Sequence, residues 1–130
     1  MSCKKILVVD DEKAILSLLK HAFSRAGYEV TTAESGETAL KILEDEPIQV
    51  MFLDLNMPGM TGVKLCRTIK NNMPMSIIFA VTGYASMFQL ADCRDAGFED
   101  YFKKPVTIKI LIEAVEEAFK KIARWKKTGS

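Results

Sequence analysis

Residues 6–9, 50–53 and 77–81 are unbroken apolar runs, four or five positions long and rich in β-branched and aromatic side chains. A strand with one wet face alternates apolar and polar residues, so a run this short with no polar position fits a strand covered on both faces. Residues 28–32 and 98–102 mix apolar and polar side chains and read as weaker strands with one side open to solvent. Three central strands and two edges are therefore expected.

Between the runs the period changes to that of a helix. Ile15, Leu18, Leu19, Ala22 and Phe23 form one apolar stripe, and Leu111, Ala114, Val115, Ala118, Phe119 and Ile122 form another. Gly27 and Gly97 stand where helices should stop, Pro47 closes a third helical stretch, and Ser35 and Thr107 suit helix starts. Strand and helix thus alternate five times. Such alternation predicts a parallel sheet with helices on both faces, joined by right-handed crossovers.

With 130 residues the chain fits one compact domain, expected over residues 1–125, with residues 126–130 as a tail or linker remnant. Its 18 basic and 17 acidic residues nearly cancel, which removes a general electrostatic case for nucleic acid or a membrane surface. Cys3, Cys66 and Cys93 lack the spacing of a zinc site or redox pair. They read as reduced thiols, and with no targeting or spanning segment in view a cytoplasmic location is expected.

In an open parallel sheet, function gathers beyond the carboxyl ends of the strands. Asp10 and Asp11 follow the first strand, Asp54 the third, Thr82 the fourth, and Lys103 and Lys104 the fifth. If the first and third strands are neighbours, three carboxylates meet, an arrangement that is costly unless a cation joins them. All-oxygen ligands suit magnesium, whereas zinc or iron would call for histidine or cysteine. A lysine and a hydroxyl facing the same point would complement a tetrahedral anion. Asp54 stands alone at the end of the most apolar strand and is the expected nucleophile, able to form an acyl phosphate.

These pieces resemble the response-regulator receiver domains of two-component signalling along nearly the whole chain. The resemblance rests on the Asp10-Asp11 pair, on Asp54 followed by residues 56–62 (Asn-Met-Pro-Gly-Met-Thr-Gly), on Thr82-Gly83 and on Lys104-Pro105. It implies a doubly wound, flavodoxin-like sheet of five parallel strands in the order 2-1-3-4-5, with five helices. It also implies that Asp54 accepts a phosphoryl group, that Asp11 binds magnesium directly and Asp10 directly or through water, and that the backbone carbonyl of Asn56 is a further ligand. Thr82 and Lys104, rather than Lys103, would contact the phosphoryl group, and the Lys104-Pro105 bond would be cis.

By the same resemblance Tyr101 is an aromatic switch that swings inward when Thr82 is drawn to the phosphoryl group, altering the face of the fourth helix, fifth strand and fifth helix. The implied partners are a histidine kinase or phosphotransfer protein upstream and a downstream protein, an effector domain or a second copy at that face. Gly83 stands where alanine is commoner and Tyr84 follows it; with Asn56 they tune hydrolysis of the acyl phosphate.

Taken singly, Asp10-Asp11 could cap a helix, Asp54 could be a turn residue and Lys104 a solvated charge. Their joint placement at strand ends favours a site. An aspartyl-phosphate hydrolase would carry an acid two positions after its nucleophile, where this chain has Asn56, so a signalling acceptor is expected rather than an enzyme. His21, the single histidine, reads as a surface residue. Lys120, Lys121, Arg124, Lys126 and Lys127 read as a solvated helix end whose charge complements the dipole. Most of the methionines read as core or loop filling, and Trp125 as partly exposed.

Overall fold

A computed structural model describes residues 4–83 and 86–128. Strands and helices alternate as β1 (Lys5–Val9), α1 (Lys13–Arg25), β2 (Glu29–Ala33), α2 (Gly36–Asp45), β3 (Val50–Leu53), α3 (Gly62–Asn72), β4 (Ile77–Thr82), α4 (Met87–Ala96), β5 (Asp100–Lys103) and α5 (Ile108–Thr128). The strands form one sheet in the order β2-β1-β3-β4-β5, and every pairing is parallel. β3 and β4 are buried at every residue, as the unbroken apolar runs require. The two mixed strands lie at the edges.

Alternate side chains of the same strands feed two apolar layers. Ile6, Val8, Val50, Phe52, Ile77, Phe79 and Val81 meet α1 and α5 on one face. On the other, Leu7, Val9, Met51, Leu53 and Ile78 meet α2 and α3. The period of two that sorts strand residues between faces is therefore hidden in the sequence, because both faces are dry.

Both edge strands begin later than their residue types suggest, for one shared reason. Gly27 and Gly97 take left-handed backbone at φ 97° and 105°, a conformation glycine adopts without strain. The next amide then turns back onto its helix: Tyr28 N–H donates to the Phe23 carbonyl and Phe98 N–H to that of Cys93, both at 3.1 Å. This is the six-to-one closure of a Schellman motif. Tyr28 and Phe98 are spent on helix ends, and their rings pack against the core layers.

Ser35 caps α2, its side chain accepting from the Thr38 amide at 3.2 Å, while Thr61 and Ser86 cap α3 and α4 in the same way. α5 runs on through Thr128, so residues 126–128 continue the helix where a tail was expected to start. Trp125 is half buried against the α1 and α5 layer, and Met57 is core. Met75 and Met87 are exposed. Lys121 pairs with Glu99, and Arg124 lies 3.8 Å from Glu117. His21 is exposed, Cys66 and Cys93 are buried, and Cys3 lies outside the described residues. Among the described residues no helix is long and apolar enough to cross a membrane.

Phe52 is 1% exposed, and its ring lies 5.2 Å from Phe23, 5.0 Å from Phe79 and 6.5 Å from Phe102, centroid to centroid. Truncating it removes buried area and leaves a void between strand and helices. Phe52→Ala should cost about 3–5 kcal/mol in urea unfolding.

Candidate functional site

The strand order brings the first and third strand ends together, since β1 sits beside β3 with Val9 opposite Leu53. The Asp54 amide donates to the Val9 carbonyl at 2.9 Å, and the Asp10 amide to the Ala33 carbonyl at 3.1 Å. Both aspartates are thereby locked at the sheet rim. Asp10, Asp11 and Asp54 each place a carboxylate oxygen within 4.8 Å of the others. Asp10 and Asp54 are buried and Asp11 is exposed.

Lys104 arrives from the fifth strand across the top of this cluster. Its amide donates to the Thr82 carbonyl at 2.8 Å, and the Lys104-Pro105 bond that follows is cis. The Nζ lies 3.0 Å from Asp10 Oδ2, 3.0 Å from Glu12 Oε1 and 3.9 Å from Asp54 Oδ2. Lys103 is the last residue of β5 and is paired with Thr82 in the sheet. One ammonium thus serves Asp10, Glu12 and Asp54, with Asp11 alongside, and cannot balance their negative charge.

At an effective dielectric of about 20, unit charges just under 5 Å apart repel by roughly 3 kcal/mol. Burial first, and then the neighbouring Asp10 charge, pushes the Asp54 carboxyl up to about 6, against the pull of the Asn56 amide and of Lys104. Burial likewise raises Asp10, although the Glu12 amide and Lys104 resist. Burial disfavours the charge on Lys104, but its hydrogen bonds to Asp10 and Glu12 and the fields of Asp54 and Asp10 outweigh that and raise it. All three shifts fit a site built for one more positive charge. The donors are hard oxygens, matching a small divalent cation such as magnesium.

The Asp10 carboxylate does not cap α1. Its Oδ1 accepts from the Glu12 amide at 2.8 Å, while the N-cap of α1 is Glu12, which makes no side-chain cap hydrogen bond. The helix-cap alternative for the pair therefore fails at Asp10.

On the opposite side, Thr82 is 1% exposed at the end of β4. Asn56 donates from Nδ2 to Thr82 Oγ1 at 3.1 Å, and its backbone amide faces Asp54 Oδ1 at 3.3 Å. Gln89 Nε2, in the first turn of α4, donates to Asn56 Oδ1 at 3.0 Å. Gly83 is exposed, and Tyr84 lies outside the described residues. Tyr101 is 43% exposed on β5, beside a groove of about 540 Å³ that Leu90, Cys93, Arg94 and Phe98 also line.

α3 makes the tightest backbone contact. A Cβ on Gly62 would fall 2.2 Å from the Asp54 carbonyl oxygen, so only glycine lets the helix start that close to the strand end. Sequence reasoning located Asp10, Asp11, Asp54, Asn56, Thr82, Tyr101 and Lys104, and the structure gathers the carboxylates, Lys104, Asn56 and Thr82 at one rim. Tyr101 sits apart from the cluster, one residue into β5. Glu12 and Gln89 were missed, because each joins through a side-chain contact between distant segments with no motif of its own.

Comparison with known proteins agrees with this geometry. The response regulator receiver domain family model matches residues 6–116. The chain is 38% identical over 102 residues to the alkaline phosphatase synthesis transcriptional regulatory protein PhoP of Bacillus subtilis, covering 78% of this chain and 42% of that protein. A receiver domain protein from Methanospirillum hungatei superposes with a TM-score of 0.86 at 33% identity, covering 92% of this chain and 99% of that one. The beryllofluoride-activated NtrC4 receiver domain dimer gives 0.85 at 30% identity, covering 91% and 98%. The chain spans less than half the length of the first curated relatives that it matches.

The chain belongs to the response regulator receiver domain family. Its general task is that of a phospho-accepting switch in two-component signalling.

A raised carboxyl favours the folded state only while it is protonated. The contribution of Asp54 is full below the ordinary value of 3.8 and is lost as pH rises through about 6. In chelator, Asp54→Asn should therefore raise the Tm at about pH 7.5 by a few degrees, and the gain should shrink toward nothing near pH 4. Thermal melts of both proteins across that range check the sign.

Proposed function

We propose that Asp54 is the phosphoryl acceptor and that Asp10, Asp11, Asp54 and the Asn56 backbone carbonyl are the residues that hold magnesium. The observation that carries this reading is Lys104 Nζ, set 3.0 Å from Asp10 and 3.9 Å from Asp54, beside three carboxylates whose charge it does not balance. Bound by these residues, magnesium would supply positive charge that offsets the repulsion between the anionic acceptor and an incoming phosphoryl group. With its carboxyl near 6, Asp54 is mostly ionised at neutral pH and its oxygen is a competent nucleophile.

The donor is a phosphohistidine on a histidine kinase or phosphotransfer protein. An Asp54 oxygen bonds to phosphorus as the phosphorus–nitrogen bond breaks, and the electron pair leaves with the imidazole, which takes up a proton. Lys104 turns from Asp10 toward a phosphoryl oxygen, and the Thr82 hydroxyl donates to another. Loss of Lys104 from the carboxylates and capture of Thr82 convert a local charge into movement at β4 and β5.

Tyr101 is the residue through which that movement reaches the surface, by swinging toward the space that Thr82 leaves. The changed face, made by α4, β5 and α5, then takes a downstream protein, an effector domain or a second copy of the chain. The domain acts in the cytoplasm as a switch and not as an enzyme on outside substrates; Asn56, two positions past Asp54, has no acidic proton to give a leaving group.

Incubation with magnesium and acetyl phosphate should add one phosphoryl mass to the chain, and Asp54→Asn should abolish that addition in intact-mass measurements. A wild-type chain that stays unmodified, or a variant modified to the same extent, overturns the assignment. Magnesium at about ten times its dissociation constant should stabilise the fold by ~1.4 kcal/mol. A melt that does not respond to magnesium would remove the shared metal site.

A further inference from the structure

Asn56 uses both ends of its side-chain amide, and the two ends face different parts of the molecule. Its Nδ2 donates to Thr82 Oγ1 at 3.1 Å, at the buried end of β4. Its Oδ1 accepts from Gln89 Nε2 at 3.0 Å, on the first turn of α4. The two contacts span 26 and 33 residues, so no local turn geometry produces them. Gln89 has a carbonyl and an amide group at its tip, and here the amide hydrogen faces Asn56. By engaging Oδ1 it sets which end of Asn56 points at Thr82, and aligned donors of this kind polarise one another.

The same first turn of α4 holds its own cap: the Gln89 amide donates to Ser86 Oγ at 3.1 Å and the Leu90 amide to the Ser86 carbonyl at 3.0 Å. Gln89 therefore links the start of α4 to the threonine at the site. Tyr101 is outside and Lys104 is on Asp10, so this chain of contacts belongs to the resting arrangement.

We infer that Gln89 is a positioning residue for the phosphoryl switch: through Asn56 it holds Thr82 in the resting arrangement and is released when Thr82 turns to the phosphoryl group. The inference rests on Asp54 and Thr82 forming the acceptor site. Thr82 cannot move away from Asn56 without giving up the 3.1 Å bond, and Asn56 is then free to leave Gln89. The first turn of α4 becomes mobile in the same event that captures the hydroxyl. The strength of this hold sets how readily the active arrangement is reached, and Gln89 does so without touching the phosphoryl group.

The test uses the magnesium-loaded chain and beryllofluoride as the phosphoryl mimic, with the apparent Kd read from amide NMR shifts. Gln89→Leu should bind the mimic about two- to fivefold more tightly, the scale of one partly exposed hydrogen bond. Gln89→Glu, which at neutral pH has no side-chain hydrogen to give Asn56, should tighten binding similarly and guards against an effect of lost polarity alone. In an Asn56→Ala background, which keeps the backbone carbonyl, Gln89→Leu should have no further effect.

Binding by Gln89→Leu equal to that of the wild type overturns the inference. The same gain in the Asn56→Ala background also overturns it, since Gln89 would then act by another route. A wild-type chain that does not bind the mimic at all refutes the acceptor site itself, a distinct result.

Discussion

Asp10 and Asp54 stand side by side beneath the surface, where their mutual repulsion is worth roughly 3 kcal/mol, and Lys104 reaches over both of them from the far edge of the sheet. That one ammonium offsets about one of the charges and leaves the rest of the cluster poised. The fold is shaped to deliver it. β5 must lie beside β4, with its last residue opposite Thr82, for the next residue to hang above the ends of β1 and β3. A sheet in another order would strand the lysine away from the carboxylates.

The same pairing makes the cluster sensitive to charge. Any group that draws the lysine off Asp10 leaves that carboxylate short of its partner, which is the kind of local charge change that the proposed switch would use. The buried layers on either side are packed from side chains that cannot follow a gradual shift. The polar contacts at the rim, from Asn56 to Thr82 and from Gln89 to Asn56, are not bound by that close packing.

Much of this was legible in the residues. Three dry strands had to be strands because their apolar runs were too short for helices and too continuous for half-wet sheet. The residues gathered at the rim stood out because each closes a strand, and the family resemblance then implied roles for them. The starts of the edge strands were misplaced because Tyr28 and Phe98 look like strand residues while their amides serve helix ends. Glu12 and Gln89 were invisible for a different reason. Their partners lie 92 and 33 residues away, and one exposed carboxylate or amide among many carries no period or spacing to mark it. Side-chain polar contacts between distant segments become readable only once the backbone has placed them.

Gly62 makes the two sides of Asp54 unequal. The start of α3 bears directly on the Asp54 carbonyl, with no room for even a methyl group between helix and strand. That side behaves as a stop: the backbone of Asp54 cannot shift toward α3 without displacing the helix itself. The flank free of this contact is the one where Asn56 reaches from Asp54 to Thr82, so a missing side chain on one side of the aspartate decides on which side its polar neighbours can stand.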